Sequence, residues 1–262
     1  VNAISTWAVV TAEWTKIRTV RSTLWTLLLT FALSVGLGYL VSLSFRDSLS
    51  RLPQDQQETF APLFATFYSL TIGQLPLVVF GVLVVTTEYT SRTIRVSLAA
   101  VPRRGLFYGA KVLAVLSSAL GVSAITVLVT FFAAQAALGP HGVSLGTAEV
   151  ALTATGACLY LTAICLFAMG VAAMSRSATS SLGILLPLLF LGSQGLGNVP
   201  GLKPFAQYLP DQAGMVIMHL TGPPGDPRFS RDYGPWAGMG ILSLWVAAAL
   251  VGGYLVLRRR DA

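Results

Sequence analysis

Charge is scarce in this chain: aspartate, glutamate, lysine and arginine make up 10% of its 262 residues, against about 25% in soluble globular domains. That deficit excludes an ordinary water-facing surface. Cysteine is almost absent. Cys158 and Cys165 are the only two, and at seven positions apart on a helix they lie roughly 10 Å from each other, beyond the reach of a disulfide. They are expected to pack as small apolar side chains. Histidine is equally sparse: His141 and His219 have no partner at metal-ligand spacing, so no metal is assigned. A phosphate-binding loop is also lacking. The nearest approach, Gly105-Leu106-Phe107-Tyr108-Gly109-Ala110-Lys111, has neither the Gly-Lys pair nor the hydroxyl residue that must follow it. Any nucleotide hydrolysis belongs to another polypeptide.

What the chain has in abundance is apolar length. It is 54% hydrophobic with a mean hydropathy of +0.72, and its apolar residues gather into six runs: 24–45, 60–86, 112–138, 150–174, 180–199 and 234–257. A membrane span needs about 20 residues at 1.5 Å rise each, so every run is long enough to cross. None contains lysine or arginine. The fifth is the weakest helix, because Pro187, Gly192, Gly195 and Gly197 interrupt it. The fold class expected is an all-α membrane protein with six transmembrane helices, forming one domain over 1–262.

The loops set the orientation, because cationic loops are retained on the cytoplasmic side. Lys16, Arg18, Arg21, Arg92, Arg95, Arg103, Arg104, Lys111, Arg176, Arg258, Arg259 and Arg260 fall to one side, twelve of the seventeen cations. The other side holds Arg46, Arg51, Lys203, Arg228 and Arg231, outnumbered by Asp47, Asp55, Glu58, Glu149, Asp211, Asp226 and Asp232. Both termini are therefore expected in the cytoplasm, in a multi-pass protein of the cell membrane. The net charge of +7 does not argue for nucleic acid, since the cations are spread over four juxtamembrane positions with little aromatic interleaving. Lipid headgroups and topology account for most of them. No cleavable signal peptide is expected, and no repeat or low-complexity tract occurs.

Residues 1–23 place Ile4, Trp7, Ala8, Val10, Trp14 and Ile17 close to one helical face, with Glu13, Lys16 and Arg18 elsewhere. That is the pattern of a helix lying in the membrane interface. Between the fifth and sixth runs, 200–233 is rich in proline and glycine but contains the apolar piece 211–220, too short to cross. An extracellular re-entrant or interfacial helix is expected there, with 222–226 as a flexible turn. The outer segment 46–59 reads as a charged connection, helical in part.

The cytoplasmic segment 87–107 stands apart. It holds Glu88, Arg92, Arg95, Arg103 and Arg104, and its stretch 91–100 is long enough for nearly three helical turns before Pro102 stops them. Topology alone needs only the cations, not a compact helix with a proline stop, so the segment reads as a contact for a soluble partner. Arg92, Arg95 and Ala99 fall on one face, and Ile94 and Leu98 on a neighbouring one, offering charge beside an apolar knob. Glu88 is placed to pair with Arg92 or with a cation of the N-terminal helix.

These residues carry a resemblance. Glu88-Tyr89-Thr90-Ser91-Arg92-Thr93-Ile94-Arg95, followed by Ser97-Leu98, Pro102, Arg103, Arg104, Gly105 and Lys111, is similar to the cytoplasmic loop of type-2 ABC transporter permeases, actinobacterial ones in particular. Glu13-Trp14-Thr15-Lys16-Ile17-Arg18, before Arg21 and Trp25, resembles their amphipathic lead-in. Arg176-Ser177-Ala178 resembles their loop between the fourth and fifth spans, and Tyr208-Leu209-Pro210 a piece of their last outer region. At Arg92 those permeases commonly carry glycine. The resemblance implies a permease subunit that is no enzyme and holds no cofactor; ATP and Mg would sit on a separate ATP-binding cassette ATPase. Glu88, Arg92, Ile94, Arg95, Leu98, Arg103 and Arg104 would form the coupling helix and its flanks, seated in a groove of that ATPase. A second permease copy, or a homologous permease, would complete the unit.

The resemblance also implies that the second and fifth spans line a central cavity. Phe60, Phe64, Phe67, Thr71 and Gln74 recur at three- and four-residue steps, and polar groups at that depth face protein or a cavity rather than lipid. Phe64, Phe67, Thr71 and Gln74 are thereby set opposite Phe190, Ser193, Gln194 and Asn198, a wall suited to an amphipathic or hydrophobic substrate. Interhelical packing with hydrogen-bond glue explains the same stripe equally well. The function implied is export by alternating access, with Pro62, Pro76 and Pro187 as bending points. Two alternatives stay open. One is a non-transporting membrane anchor or sensor that recruits a soluble partner. The other is an intramembrane enzyme using Glu149, Asp211, His141 or His219 as acid or base, although no two of these adjoin in a motif.

Overall fold

A computed structural model describes residues 6–49, 51, 61–199, 201–222 and 229–259. Ile4, Phe60, Arg228, Arg260, the connection 52–59 and most of the anticipated turn 222–226 lie outside the described residues.

All regular structure among the described residues is helical. In chain order the helices are α1 Thr6–Thr19, α2 Arg21–Leu49, α3 Pro62–Phe67, α4 Leu70–Thr90, α5 Thr93–Ala100, α6 Arg104–Leu138, α7 Ala148–Ser175, α8 Ala178–Ser193, α9 Lys203–Ala206, α10 Pro210–Met215 and α11 Pro235–Arg259. Five stretches are long and apolar enough to cross a membrane: α2, the α3–α4 pair, α6, α7 and α11. The sixth apolar helix, α8, has 16 residues, about 24 Å, and is shorter than the run 180–199 suggests. Gly195 turns the chain at φ +110 and 196–198 wind into a 3-10 turn, so the glycines end the helix at Ser193. The protein is an all-α membrane protein.

The α3–α4 pair and α7 form the centre, mostly buried, while α2, α6 and α11 present more of their surface outward. α7 packs on α11, α4 and α6, and α2 packs on α6 and α4. Association inside a bilayer depends on close packing more than on excluding water, and two glycines permit it. A side chain at Gly170 would run into the Ala249 backbone, and one at Gly81 into the Cys165 carbonyl. Cys158 and Cys165 are both free thiols.

The second span is interrupted at Tyr68 and Ser69. Pro62 opens α3, where a missing N–H costs nothing, so it is not an internal bend. Pro76 and Pro187 do lie inside α4 and α8. Beyond α8, only Pro210–Met215 of the piece 211–220 is helical. Turns follow to His219 at φ +56, yet Ala213, Met215, Ile217 and Met218 are all buried.

α1 joins α2 through Val20 alone and packs on α6 and α2. Its inward face is not the one the tryptophans suggest. Val9, Glu13 and Ile17, at four-residue steps, are buried, whereas Trp7 is 73% exposed. Trp14 leans on α6, its Nε1 donating to Ser117 Oγ at 2.8 Å.

Cations grouped by sequence gather at one end of the bundle. Arg104 Nη1 donates to the carbonyls of Leu257 and Arg258 at 2.9 and 3.1 Å, and Arg176 Nη2 to that of Val256 at 3.0 Å. Both guanidinium groups satisfy carbonyls at the C-terminal end of α11, which a helix leaves without internal partners.

Candidate functional site

At that cationic end α4 closes in a run of hydroxyl residues. Thr86, Thr87 and Thr90 each donate to the carbonyl four residues back, and Ser91 Oγ donates to Thr87 O at 2.7 Å. The chain then reverses at Arg92, whose φ of +58 lies in the left-handed region. A non-glycine residue there costs about 1–2 kcal/mol. α5 therefore starts at Thr93, not at 91, and Arg92 precedes the helix instead of sharing a face with Arg95.

α5 rests on the bundle through its apolar residues. Ile94 is buried in the core and Leu98 is half-buried against it; neither projects as a knob. The apolar side chain that does project is Val96, 72% exposed. Arg92, Arg95 and Arg103 are exposed, while Arg104 is occupied at the end of α11. Between α1 and α5 runs a cleft of about 360 Å³ bordered by Val9, Ala12, Val96, Ser97 and Phe107.

Beneath α5 lies a cluster of four charges from three elements. Glu88, near the end of α4, turns away from Arg92. Its Oε1 accepts from Lys16 Nζ at 2.8 Å and Lys111 Nζ at 2.9 Å. Glu13 Oε1 accepts from Lys16 at 2.6 Å, and Glu13 Oε2 from Lys111 at 2.5 Å. Lys16 Nζ also reaches Ser97 Oγ of α5 at 3.5 Å. The side chains of Glu13, Glu88 and Lys111 are buried and that of Lys16 is 43% exposed. Two carboxylates and two ammonium groups sum to zero, the condition under which charges persist in a low-dielectric site. Burial acts to raise the Glu13 carboxyl, but Lys111 and then Lys16 outweigh it and hold it below its ordinary value. Burial likewise acts to lower Lys16, and its bonds to Glu13 and Glu88 outweigh it and raise the ammonium.

Of the residues expected to face a cavity, the structure separates two groups. Phe67, Thr71 and Gln74 are fully buried inside the bundle. Phe67 packs on Phe131 with ring centroids 6.5 Å apart. Gln74 Oε1 accepts from the Tyr160 hydroxyl at 2.5 Å, and its Nε2 donates to Thr71 O at 3.0 Å. The stripe keeps turning with the helix, so its deeper residues point at α6 and α7: here the packing explanation holds. Phe64, Ser193, Gln194 and Asn198 do come together, with Tyr68, around a cavity of about 380 Å³ at the opposite end of the bundle from α5. Phe190 lies elsewhere, in a largely apolar groove of about 730 Å³ with Leu29, Leu33, Ile72, Pro76 and Leu186. Glu149 and His219 approach to 3.9 Å, both largely exposed, and among the described residues no three metal-ligating side chains cluster.

The fold and this site define a class: a polytopic helical membrane protein with a short helix held on a charge-locked base at its cationic end. The family model described as ABC-2 family transporter protein matches residues 7–262, and the chain belongs to the ABC-2 transporter family. It is thus a membrane-spanning, non-enzymatic component of an ABC transporter, of a family that works with an ATP-binding cassette component. A search of curated proteins finds no match to the chain.

Proposed function

We propose that the chain is the permease subunit of an ATP-driven exporter. It moves an amphipathic or hydrophobic substrate outward by alternating access, coupled to a separate ATPase that binds ATP and Mg. The observation that carries this reading is the mounting of α5. Its outer surface offers Arg95, Val96 and the flanking Arg92 and Arg103 to a partner, while Ile94 and Leu98 fix it to the core. A helix meant only to retain a loop on one side of the membrane needs no such base.

Motion of the partner is passed along two routes. α5 joins α4 through the tight turn at Ser91 and Arg92, and Lys16 bridges Ser97 to Glu88 and Glu13. A push on α5 therefore reaches α1 as well as the second and third spans, without a flexible linker to absorb it. Pro76 and Pro187, inside their helices, are where those spans yield most easily. The apolar groove between α2, α4 and α8 supports a second permease copy or a homologous permease packed against this face. By the retention rule for cationic loops, α5 and both termini are cytoplasmic.

The test is the double variant Arg92→Glu, Arg95→Glu, co-expressed with the cognate ATPase in vesicles. Insertion should be unchanged and transport lost while basal ATP hydrolysis persists. Transport at the wild-type rate would defeat the proposal.

A further inference from the structure

Beside its buried ridge of Val9, Glu13 and Ile17, α1 carries a second face. Trp7, Val10, Trp14 and Arg18 stand three or four residues apart on it, and with Leu113 and Ser117 of α6 they border a groove of about 580 Å³. That volume is within the range of small-molecule sites. Its outer side is open. Trp7 is exposed, and so are Leu113 and Leu120, seven residues apart on one side of α6. Exposed leucines on a membrane-spanning helix face lipid tails, so the groove opens to the bilayer.

Among the residues bordering the groove, Arg18 alone is charged. Its guanidinium lies over the Trp14 ring, 5.5 Å from the centroid, and the Trp14 Nε1 is itself fixed by Ser117 Oγ at 2.8 Å. Stacking uses the face of the guanidinium, whereas its N–H donors point outward in the plane. Among the described residues these donors have no hydrogen-bond or carboxylate partner. The hydroxyl hydrogens of Thr11, Thr15 and Ser117 are spent on carbonyls of their own helices, which leaves Arg18 as the charged donor of the groove. Nor is its charge cancelled nearby. Among the described residues the carboxylates at this end are Glu13 and Glu88, both engaged by Lys16 and Lys111 in a set that sums to zero. The cations that act on Glu13 are Lys111 and Lys16, and Arg18 is not one of them.

We propose that this groove holds one anionic phospholipid from the leaflet at the cationic end of the bundle, its phosphate on Arg18 and an acyl chain against Trp7, Val10 and Leu113. The planar fork of arginine suits phosphate oxygens, and hydrogen bonds between ionised groups are the strong ones. An anionic lipid supplies the counter-charge in full, whereas the choline of a zwitterionic lipid offsets it. The lipid ties α1 to α6 from the bilayer side, as Glu13 and Lys111 tie them from within. Binding requires no ATPase and does not depend on whether the chain exports a substrate.

The full chain, purified in detergent and stripped of lipid, is incubated with equimolar phosphatidylglycerol and phosphatidylcholine of identical acyl chains. Native mass spectrometry reads the lipid retained. Phosphatidylglycerol should be retained about five- to tenfold over phosphatidylcholine. Arg18→Gln, at an exposed position, should lower that preference at least about threefold. Leu113→Trp should fill the slot and lower the retention of both lipids, and Arg95→Gln, an equal loss of charge on α5, should leave the preference unchanged. Equal retention of the two lipids by the wild type, a preference untouched by Arg18→Gln, or an equal loss from Arg95→Gln would overturn the proposal. Displacement of the lipid by soluble glycerol 3-phosphate at equal concentration would overturn it too, since the head alone would then suffice. Lost coupling to the ATPase with the lipid preference intact would instead count against the transport reading and leave this site standing.

Discussion

Glu13 Oε2 and Lys111 Nζ lie 2.5 Å apart although 98 positions separate them in the chain, and each side chain is 4% exposed. The pair joins the N-terminal helix to the third span, and Glu88 brings the end of the second span to the same point. Three elements are thus tied beneath α5, whose outer surface is exposed. Removing one charge from such a set leaves another buried without compensation.

Lys111→Met should therefore destabilise the protein by about 3–5 kcal/mol, and adding Glu13→Gln should recover part of that loss, because one buried carboxylate is then neutral. Thermal unfolding of the purified protein in detergent checks both. The pH dependence follows in sign. A carboxyl held below its ordinary 4.5 contributes stability fully present above that pH and lost as the pH falls through the lowered value. An ammonium raised above its ordinary 10.5 contributes stability present below that pH and lost as it rises further. Between about pH 5 and 10 Glu13 and Lys16 should together add a constant amount.

Arg92→Gly should stabilise the protein by about 1 kcal/mol, since glycine takes the left-handed turn without the steric cost that arginine bears there. A melting comparison with Arg95→Gly, a substitution inside α5 that should cost about as much, isolates the backbone effect from loss of charge.

How far these features were legible in the sequence depends on what kind of signal each one sends. The spans announce themselves by length, and the cationic end by counting arginines. Arg92 was also visible, as the place where the permeases this chain resembles carry glycine; the turn explains the difference. Glu13 and Lys111 were hidden because each is a single charge whose partner is distant in sequence. Val9, Glu13 and Ile17 share a four-residue step, and Lys111 stands one residue before an apolar run; these were the available traces. The stripe of Phe64, Phe67, Thr71 and Gln74 has helical spacing whether it faces a cavity or a neighbour, so periodicity could not separate Phe64 from the other three. Only the break at Tyr68 and Ser69, together with the packing of α6 and α7, does so.

Tyr160→Phe should cost about 1–3 kcal/mol, because it leaves Gln74 Oε1 buried without a donor. Combining it with Gln74→Leu should cost less than the sum of the single changes, as expected for partners in one hydrogen bond. A double-mutant cycle by chemical denaturation measures the coupling.

Asp211 gives the end of the bundle opposite α5 its own pH response. Burial pushes its carboxyl up to about 6, against hydrogen bonds from Gln212 that act to lower it. The folded state holds this proton more tightly than the unfolded state, so stability should fall as the pH rises from about 4 to 6 and then level off. Asp211→Asn should remove that slope and raise the melting temperature at neutral pH. Thermal scans from pH 4 to 8, wild type against variant, decide it.

Cross-linking from α5 tests the central claim most directly. Val96→Cys, carrying a photoreactive group, is expressed with the cognate ATPase in native membranes, beside Trp236→Cys at the opposite end of the bundle. The account predicts a covalent product with the ATPase from position 96 and none from position 236. An adduct from 236 alone, or labelling of position 96 by an impermeant reagent added outside intact cells, would contradict it.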